Sequence, residues 1–264
     1  MLDVDAVLLA TATFLIFCAL SGTVYLINDV ADRHADRRHP LKSARPIASG
    51  QLAVRTAVAA AVVLGTGGLA AAFLIGPTLA AIAAAYLALL VAYSAQLKHL
   101  VIIDALTIAA GFVLRAVAGA AAVDVPIRFW LLVCTSLLAL FLAFSKRRHE
   151  LMLLGDGATE HRPILEEYTP YLLDQMIAVV TASTVIAYTL FAISPETAER
   201  LGTARLPVTI PFVLYGIFRY LYLVHQKRGG GSPAELLVTD RPLLACVALW
   251  AGSVMVLMYT PLGR

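Results

Sequence analysis

The chain has 264 residues, 60% of them hydrophobic and 14% charged, with a mean hydropathy of +0.84. A soluble domain usually carries about 25% charged and 45–50% apolar residues, so a water-soluble globule and a disordered chain are both excluded. The formal net charge of +3 comes with no basic face or nucleic-acid motif, which excludes a nucleic-acid binder.

About 20 mostly apolar residues suffice to cross the hydrocarbon core of a bilayer. Eight stretches qualify, at 5–28, 53–75, 78–97, 101–122, 127–145, 171–194, 206–224 and 242–260. The expected fold is all-α, a polytopic transmembrane helix bundle. It is expected to form one domain over 1–264, because Gly229-Gly230-Gly231 is a short turn within a loop and no Pro/Gly-rich linker divides the chain. The first stretch lacks a basic leader and runs straight into a charged motif, so it reads as a span rather than a cleaved signal. Alanine runs at Ala57–Ala61 and Ala80–Ala85 predict close helix–helix contact, since small side chains let backbones approach. Cys18, Cys134 and Cys246 lie in apolar stretches without paired spacing and are expected as small hydrophobes packed in the bundle.

Lys and Arg set the expected topology. With an even number of spans, fourteen of the twenty basic residues fall in loops on one face, four on the face of the termini, and Arg115 and Arg219 lie within spans. The positive-inside rule therefore puts the long polar loops in the cytoplasm.

The loop after the first span begins Asn28-Asp29 and continues through Asp32 and Asp36 to Lys42 and Arg45-Pro46-Ile47-Ala48-Ser49-Gly50. If the helix continues, spacings of three and four put Asp29, Asp32 and Asp36 on one face. Three such carboxylates repel one another unless a cation neutralises them. Mg²⁺ suits them, taking one or two carboxylates and completing its shell with water and phosphate oxygens. A solvated helix end with mixed charges is the plainer alternative. The loop after the fifth span opens with Ser145-Lys146-Arg147-Arg148-His149-Glu150. Its cations read either as membrane anchors or as phosphate ligands, with Glu150 available to a metal or a sugar hydroxyl. Asp104 and Arg115, 11 residues apart in the fourth span, share roughly one helical face and should face a polar cavity or each other. Lys98 stands just before that span. Thr169-Pro170 and Asp240-Arg241-Pro242 read as helix caps.

The run Asn28-Asp29-x-x-Asp32-x-x-x-Asp36 resembles NDxxDxxxD, the first aspartate-rich motif of the UbiA superfamily of intramembrane prenyltransferases. Arg45-Pro46-Ile47-Ala48-Ser49-Gly50 matches its usual continuation, as does Tyr93 followed by Leu97-Lys98. The second motif of that family, DxxxD, is missing. Lys146-Arg147-Arg148-x-Glu150-Leu151 stands in its place, with Phe112-x-Leu114-Arg115-Ala116-x-Ala118-Gly119 and Thr239-Asp240-Arg241-Pro242-Leu243 elsewhere. These segments are similar to the phosphoribosyl branch of the superfamily. Members usually have nine spans, and this chain begins at what looks like their second helix.

The resemblance implies transfer of 5-phosphoribose from phosphoribosyl pyrophosphate to a polyprenyl (decaprenyl-type) phosphate, releasing pyrophosphate. The reaction is expected to depend on Mg²⁺ at the cytoplasmic face of the cell membrane. Asp29, Asp32 and Asp36 are the implied metal ligands and, with Lys98, the catalytic set. Asn28, Lys42, Arg45, Arg115, Lys146, Arg147, Arg148 and Glu150 are the implied substrate-binding residues. The implied partners are the two substrates and membrane lipids, and a homo-oligomer is compatible with them. Two other readings stay open: a prenyltransferase using a polyprenyl diphosphate and an aromatic or lipid acceptor, and a transporter of anionic solutes.

Overall fold

A computed structural model describes residues 4–38, 42–127, 129–154, 163–227 and 233–259. They form ten α-helices and, among the described residues, no strand. In chain order these are α1 Val4–Arg38, α2 Val54–Ile75, α3 Pro77–Ala95, α4 Ile103–Ala122 and α5 Phe129–Leu154, followed by α6 Pro170–Ile193, α7 Pro195–Leu201, α8 Ile210–Gln226, α9 Pro233–Thr239 and α10 Arg241–Tyr259. Among the described residues, seven helical segments are long and apolar enough to cross a membrane. The expected fifth span lies largely within α5, so eight is the approximate count. The helices divide into two compact units, one holding α1–α4 and the start of α5 through Thr135, the other running from Ser136 through the rest of α5 and from Tyr168 onward.

In the first unit, α1 packs along α2 and also meets α3 and α4. Ile16, Phe17, Leu20, Ala72, Leu79, Ala83, Tyr86 and Ala118 form its core. The small residues of α2 let the helices close. A Cβ on Gly68 would stand 2.9 Å from Leu20 Cδ2, and one on Gly65 would stand 3.3 Å from Thr23 Cγ2. Ala57 and Ala83 are wholly buried, as the alanine runs predict. Phe14, Leu15, Val63, Phe73 and Leu74 lie outward. In water such faces would cost about 25 cal/mol per Å², whereas bilayer hydrocarbon solvates them. Cys18 shares that outward exposure, so of the three cysteines it does not pack inside the bundle as expected; it faces the side that lipid covers.

In the second unit, α6, α8 and α10 are tied by polar contacts within an apolar core. Tyr188 Oη lies 2.7 Å from Thr209 Oγ1 and accepts a hydrogen bond from Trp250 Nε1 at 2.8 Å. The Phe141 and Tyr220 rings meet at 5.1 Å, and the Cys246 thiol donates to the Phe212 carbonyl. Both expected caps form: Thr169 Oγ1 accepts from the Leu172 amide at 3.1 Å, and Asp240 Oδ1 from the Leu243 amide at 2.9 Å. Each satisfies an orphan donor of a helix's first turn.

Candidate active site

The first aspartate cluster exists because α1 does not stop where its apolar stretch stops. The helix continues through Asn28 to Arg38, so Asp29, Asp32 and Asp36 fall on adjacent turns. The chain then folds back through residues 42–53. In that segment the Ser49 amide donates to the Arg45 carbonyl at 2.8 Å and the Leu52 amide to the Pro46 carbonyl at 2.8 Å. Gly50, at φ +86, turns the chain where an L side chain would be strained. Ile47 and Ala48 are buried, and Arg37 Nε holds the Ala48 carbonyl at 2.9 Å. This return loop, which Lys42 opens, brings Arg45 onto the helix.

Arg45 Nη1 bridges two of the carboxylates, at 2.7 Å from Asp29 Oδ1 and 3.0 Å from Asp36 Oδ2. Asp36 is 5% exposed. Asp32 takes the third cation, with Lys98 Nζ 2.6 Å from Oδ1. Lys98 stands on a 3₁₀ turn, Leu97–His99, between α3 and α4. The turn packs against a second one at Pro163–Glu167. Just after it, Ile102 adopts φ 69 and ψ −43, and the Ile103 amide reaches the Val101 carbonyl at 2.7 Å. That is a γ-turn of the rare, strained kind, unusual for a β-branched residue.

The chain's own cations thus relieve the repulsion among the three aspartates, which alone does not demand a metal. Among the described residues no three acidic, His or Cys side chains converge into a metal cage. These carboxylates would still suit a hard ion that arrives with phosphate ligands, since Mg²⁺ needs only one or two carboxylates besides water and phosphate oxygens.

Arg115 lies deeper in the same unit. Its guanidinium stacks on Phe112, with Cζ 4.2 Å from the ring centroid, and Nη1 stands 3.5 Å from Tyr86 Oη. Tyr86 Oη also lies 2.8 Å from Ser21 Oγ. Cation–π contact of this kind stabilises an intramembrane cation. Asp104, wholly buried, sits in the first turn of α4, about 16 Å further along the axis at 1.5 Å per residue.

In the second unit the basic run lies in the C-terminal part of α5, and successive residues on a helix turn by about 100°. Lys146, Arg147 and Arg148 therefore do not form one joint clamp. Lys146 is exposed. Arg147 is 2% exposed and pairs with Glu150 one turn on, Nη1 to Oε2 at 3.0 Å. Arg148 reaches across to α6, with Nε 2.5 Å and Nη2 3.4 Å from the two oxygens of Asp174. Asp174 Oδ1 also meets His225 Nε2 of α8 at 3.1 Å. Arg219, the other intramembrane arginine, pairs with Asp240 at 2.8 Å. The hydrogen bond from Arg219 holds the Asp240 carboxyl below the usual carboxylate range, against a smaller opposing effect of burial. Asp240 therefore caps and pairs as an anion at neutral pH.

Asp174, His225 and Tyr86 are the site residues that sequence reasoning missed. Asp174 carried a signal, as the only charged residue in the stretch 171–194, where an ionisable group is a functional candidate by default.

Residues 2–237 match the UbiA prenyltransferase family. The chain belongs to that family. It is a membrane transferase by that membership. It is similar to decaprenyl-phosphate phosphoribosyltransferase of Mycolicibacterium smegmatis, 33% identical over 97% of this chain and 82% of that protein. The enzyme of the same name from Corynebacterium glutamicum is 32% identical over 93% of this chain and 74% of its own length. The fold matches that of a UbiA homolog from Archaeoglobus fulgidus bound to GPP and Mg²⁺, with a TM-score of 0.72, 20% identity and coverage of 94% of this chain and 86% of that one. At that identity the likeness speaks for the fold alone.

Proposed function

We propose that this family member transfers 5-phosphoribose from phosphoribosyl pyrophosphate to a polyprenyl phosphate at the cytoplasmic face of the membrane. The observation that carries the reading is the replacement of acids by cations. The end of α1 carries Asp29, Asp32 and Asp36, while the C-terminal part of α5 carries Lys146, Arg147 and Arg148, of which Arg147 is turned inward. A soluble polyanion and an anionic lipid call for such cations, where a second acidic metal cluster would suit an allylic diphosphate instead. The similarity to phosphoribosyltransferases along nearly the whole chain supports the same substrate pair.

In this reading Asp29, Asp32 and Asp36 would hold Mg²⁺, whose contribution is to neutralise the departing pyrophosphate. Arg45 and Lys98 hold the three carboxylates apart and pre-ordered until substrate arrives, then turn to its phosphate oxygens. Asn28 and Lys42 flank that end of α1 as further hydrogen-bond donors. Lys146 and Arg148 take phosphate, while buried Arg147, paired with half-buried Glu150, fixes the helical segment that presents them. Arg115 is a deeper cation for a phosphate near the bilayer. A lipid phosphate oxygen attacks the anomeric carbon, the bond from that carbon to pyrophosphate breaks, and a new C–O–P linkage forms. Positive charge develops on the sugar as in other glycosyl transfers. The nucleophile is already anionic, so no strong base is required, and the residues act by positioning and electrostatics. The test is incubation of membranes containing the chain with labelled phosphoribosyl pyrophosphate and polyprenyl phosphate. Label extracted with the lipid supports the reading; its absence, with consumption of a polyprenyl diphosphate, would favour the ordinary prenyltransferase.

A further inference from the structure

We infer that Asp174 and His225 are positioning residues that aim Arg148 at a substrate phosphate, a role that rests on the phosphoribosyl transfer proposed above. Three helices of the second unit meet here: Arg148 lies in the C-terminal part of α5, Asp174 in the second turn of α6, and His225 one residue from the end of α8. Asp174 engages Arg148 through Nε and Nη2, one edge of the guanidinium. Among the described residues Nη1 has no acceptor, so the opposite edge keeps its donors. A guanidinium pinned along one edge presents the other as a fixed fork, the geometry that binds a phosphate through two parallel hydrogen bonds. Pinning also removes rotamer freedom that a flexible arginine would lose on binding.

His225 fixes the aspartate in turn. Its Nδ1 lies 2.9 Å from the Leu221 carbonyl one turn back, and Nε2 lies 3.1 Å from Asp174 Oδ1. The imidazole is anchored to its own helix and holds the carboxylate that holds the arginine. The three side chains are open to ligand rather than sealed in the core: Arg148, Asp174 and His225 are 15%, 36% and 31% exposed. Arg147, one residue earlier, is by contrast buried and pairs within its own helix, with Glu150 one turn on.

The experiment uses the full chain in detergent and reads binding of inorganic pyrophosphate and of polyprenyl phosphate, together with KM and kcat for each substrate. Asp174→Asn should weaken the affinity, and raise the KM, for one anionic ligand about tenfold with kcat changed less than twofold. His225→Ala should do the same about threefold. Asp174→Glu should recover most of the loss. Which ligand responds identifies the phosphate, the soluble pyrophosphate or the lipid. In an Arg148→Ala background, Asp174→Asn should have no further effect. Unchanged affinity for both ligands, or an Asp174→Asn effect that simply adds to Arg148→Ala, overturns the assignment. Should the wild type leave phosphoribosyl pyrophosphate untouched while Asp174→Asn still weakens binding, the reaction is wrong and the positioning role stands.

Discussion

Replacing Asp36 by asparagine separates the chemistry of the first cluster from its structural part. Asparagine keeps the shape of the side chain and one acceptor oxygen but removes the charge. Arg45 Nη1 is shared, and its shorter contact is to Asp29, at 2.7 Å against 3.0 Å for Asp36. The arginine therefore stays anchored. The structural loss is part of one charge-assisted hydrogen bond at a residue only 5% exposed, about 1–2 kcal/mol. The functional loss should be larger, because the proposed metal–pyrophosphate complex would lose the charge of one of its ligands. A fall of at least about 100-fold in turnover corresponds to about 2.7 kcal/mol of transition-state stabilisation. The assay titrates Mg²⁺ against lipid-extractable label at saturating substrates, with thermal unfolding in detergent as the control for folding. The expected result is a folded protein with turnover down at least 100-fold and a raised requirement for Mg²⁺. Full turnover with unchanged Mg²⁺ dependence would refute the metal assignment.

Other consequences are open to direct measurement. Chelation of divalent cations should abolish transfer, and added Mg²⁺ should restore it; transfer persisting in excess chelator contradicts the assignment. Arg147→Ala removes a buried guanidinium and its pair with Glu150 and should lower stability by about 2 kcal/mol or more, a larger loss than that of exposed Lys146→Ala; equal thermal shifts would argue against the splayed helix end. Gly68→Ala puts a methyl against Leu20 and should lower the unfolding temperature, with the loss relieved in a Leu20→Ala background; additive losses would deny the close approach of α1 and α2. Thr169→Ala should cost about 1 kcal/mol through the lost cap of α6, and an unchanged unfolding temperature would show that the cap contributes nothing.

What could be read in advance follows the range of the interaction. Spans, caps and the acidic face of α1 depend on neighbours within a few residues, and Thr169, Asp240 and the 29/32/36 spacing were legible for that reason. Lys98 was legible as a member of the set, but not that it meets Asp32, 66 residues away. Lys146, Arg147 and Arg148, read together as anchors or phosphate ligands, point different ways on α5, because sequence adjacency hides a turn of about 100° per residue. Arg115 was expected to face a polar cavity or Asp104, yet its neighbours are Phe112 and Tyr86, and no local pattern distinguishes a tyrosine that receives an arginine from one that only fills the core. Asp174 and His225, 51 residues apart, meet only through the packing of α6 on α8.

Phosphoribosyl pyrophosphate labelled in the ribose, supplied with polyprenyl phosphate and Mg²⁺ to membranes bearing the chain, should yield a labelled lipid and an equal amount of pyrophosphate. Release of pyrophosphate from a polyprenyl diphosphate, with the ribose label remaining in the aqueous phase, would contradict phosphoribosyl transfer.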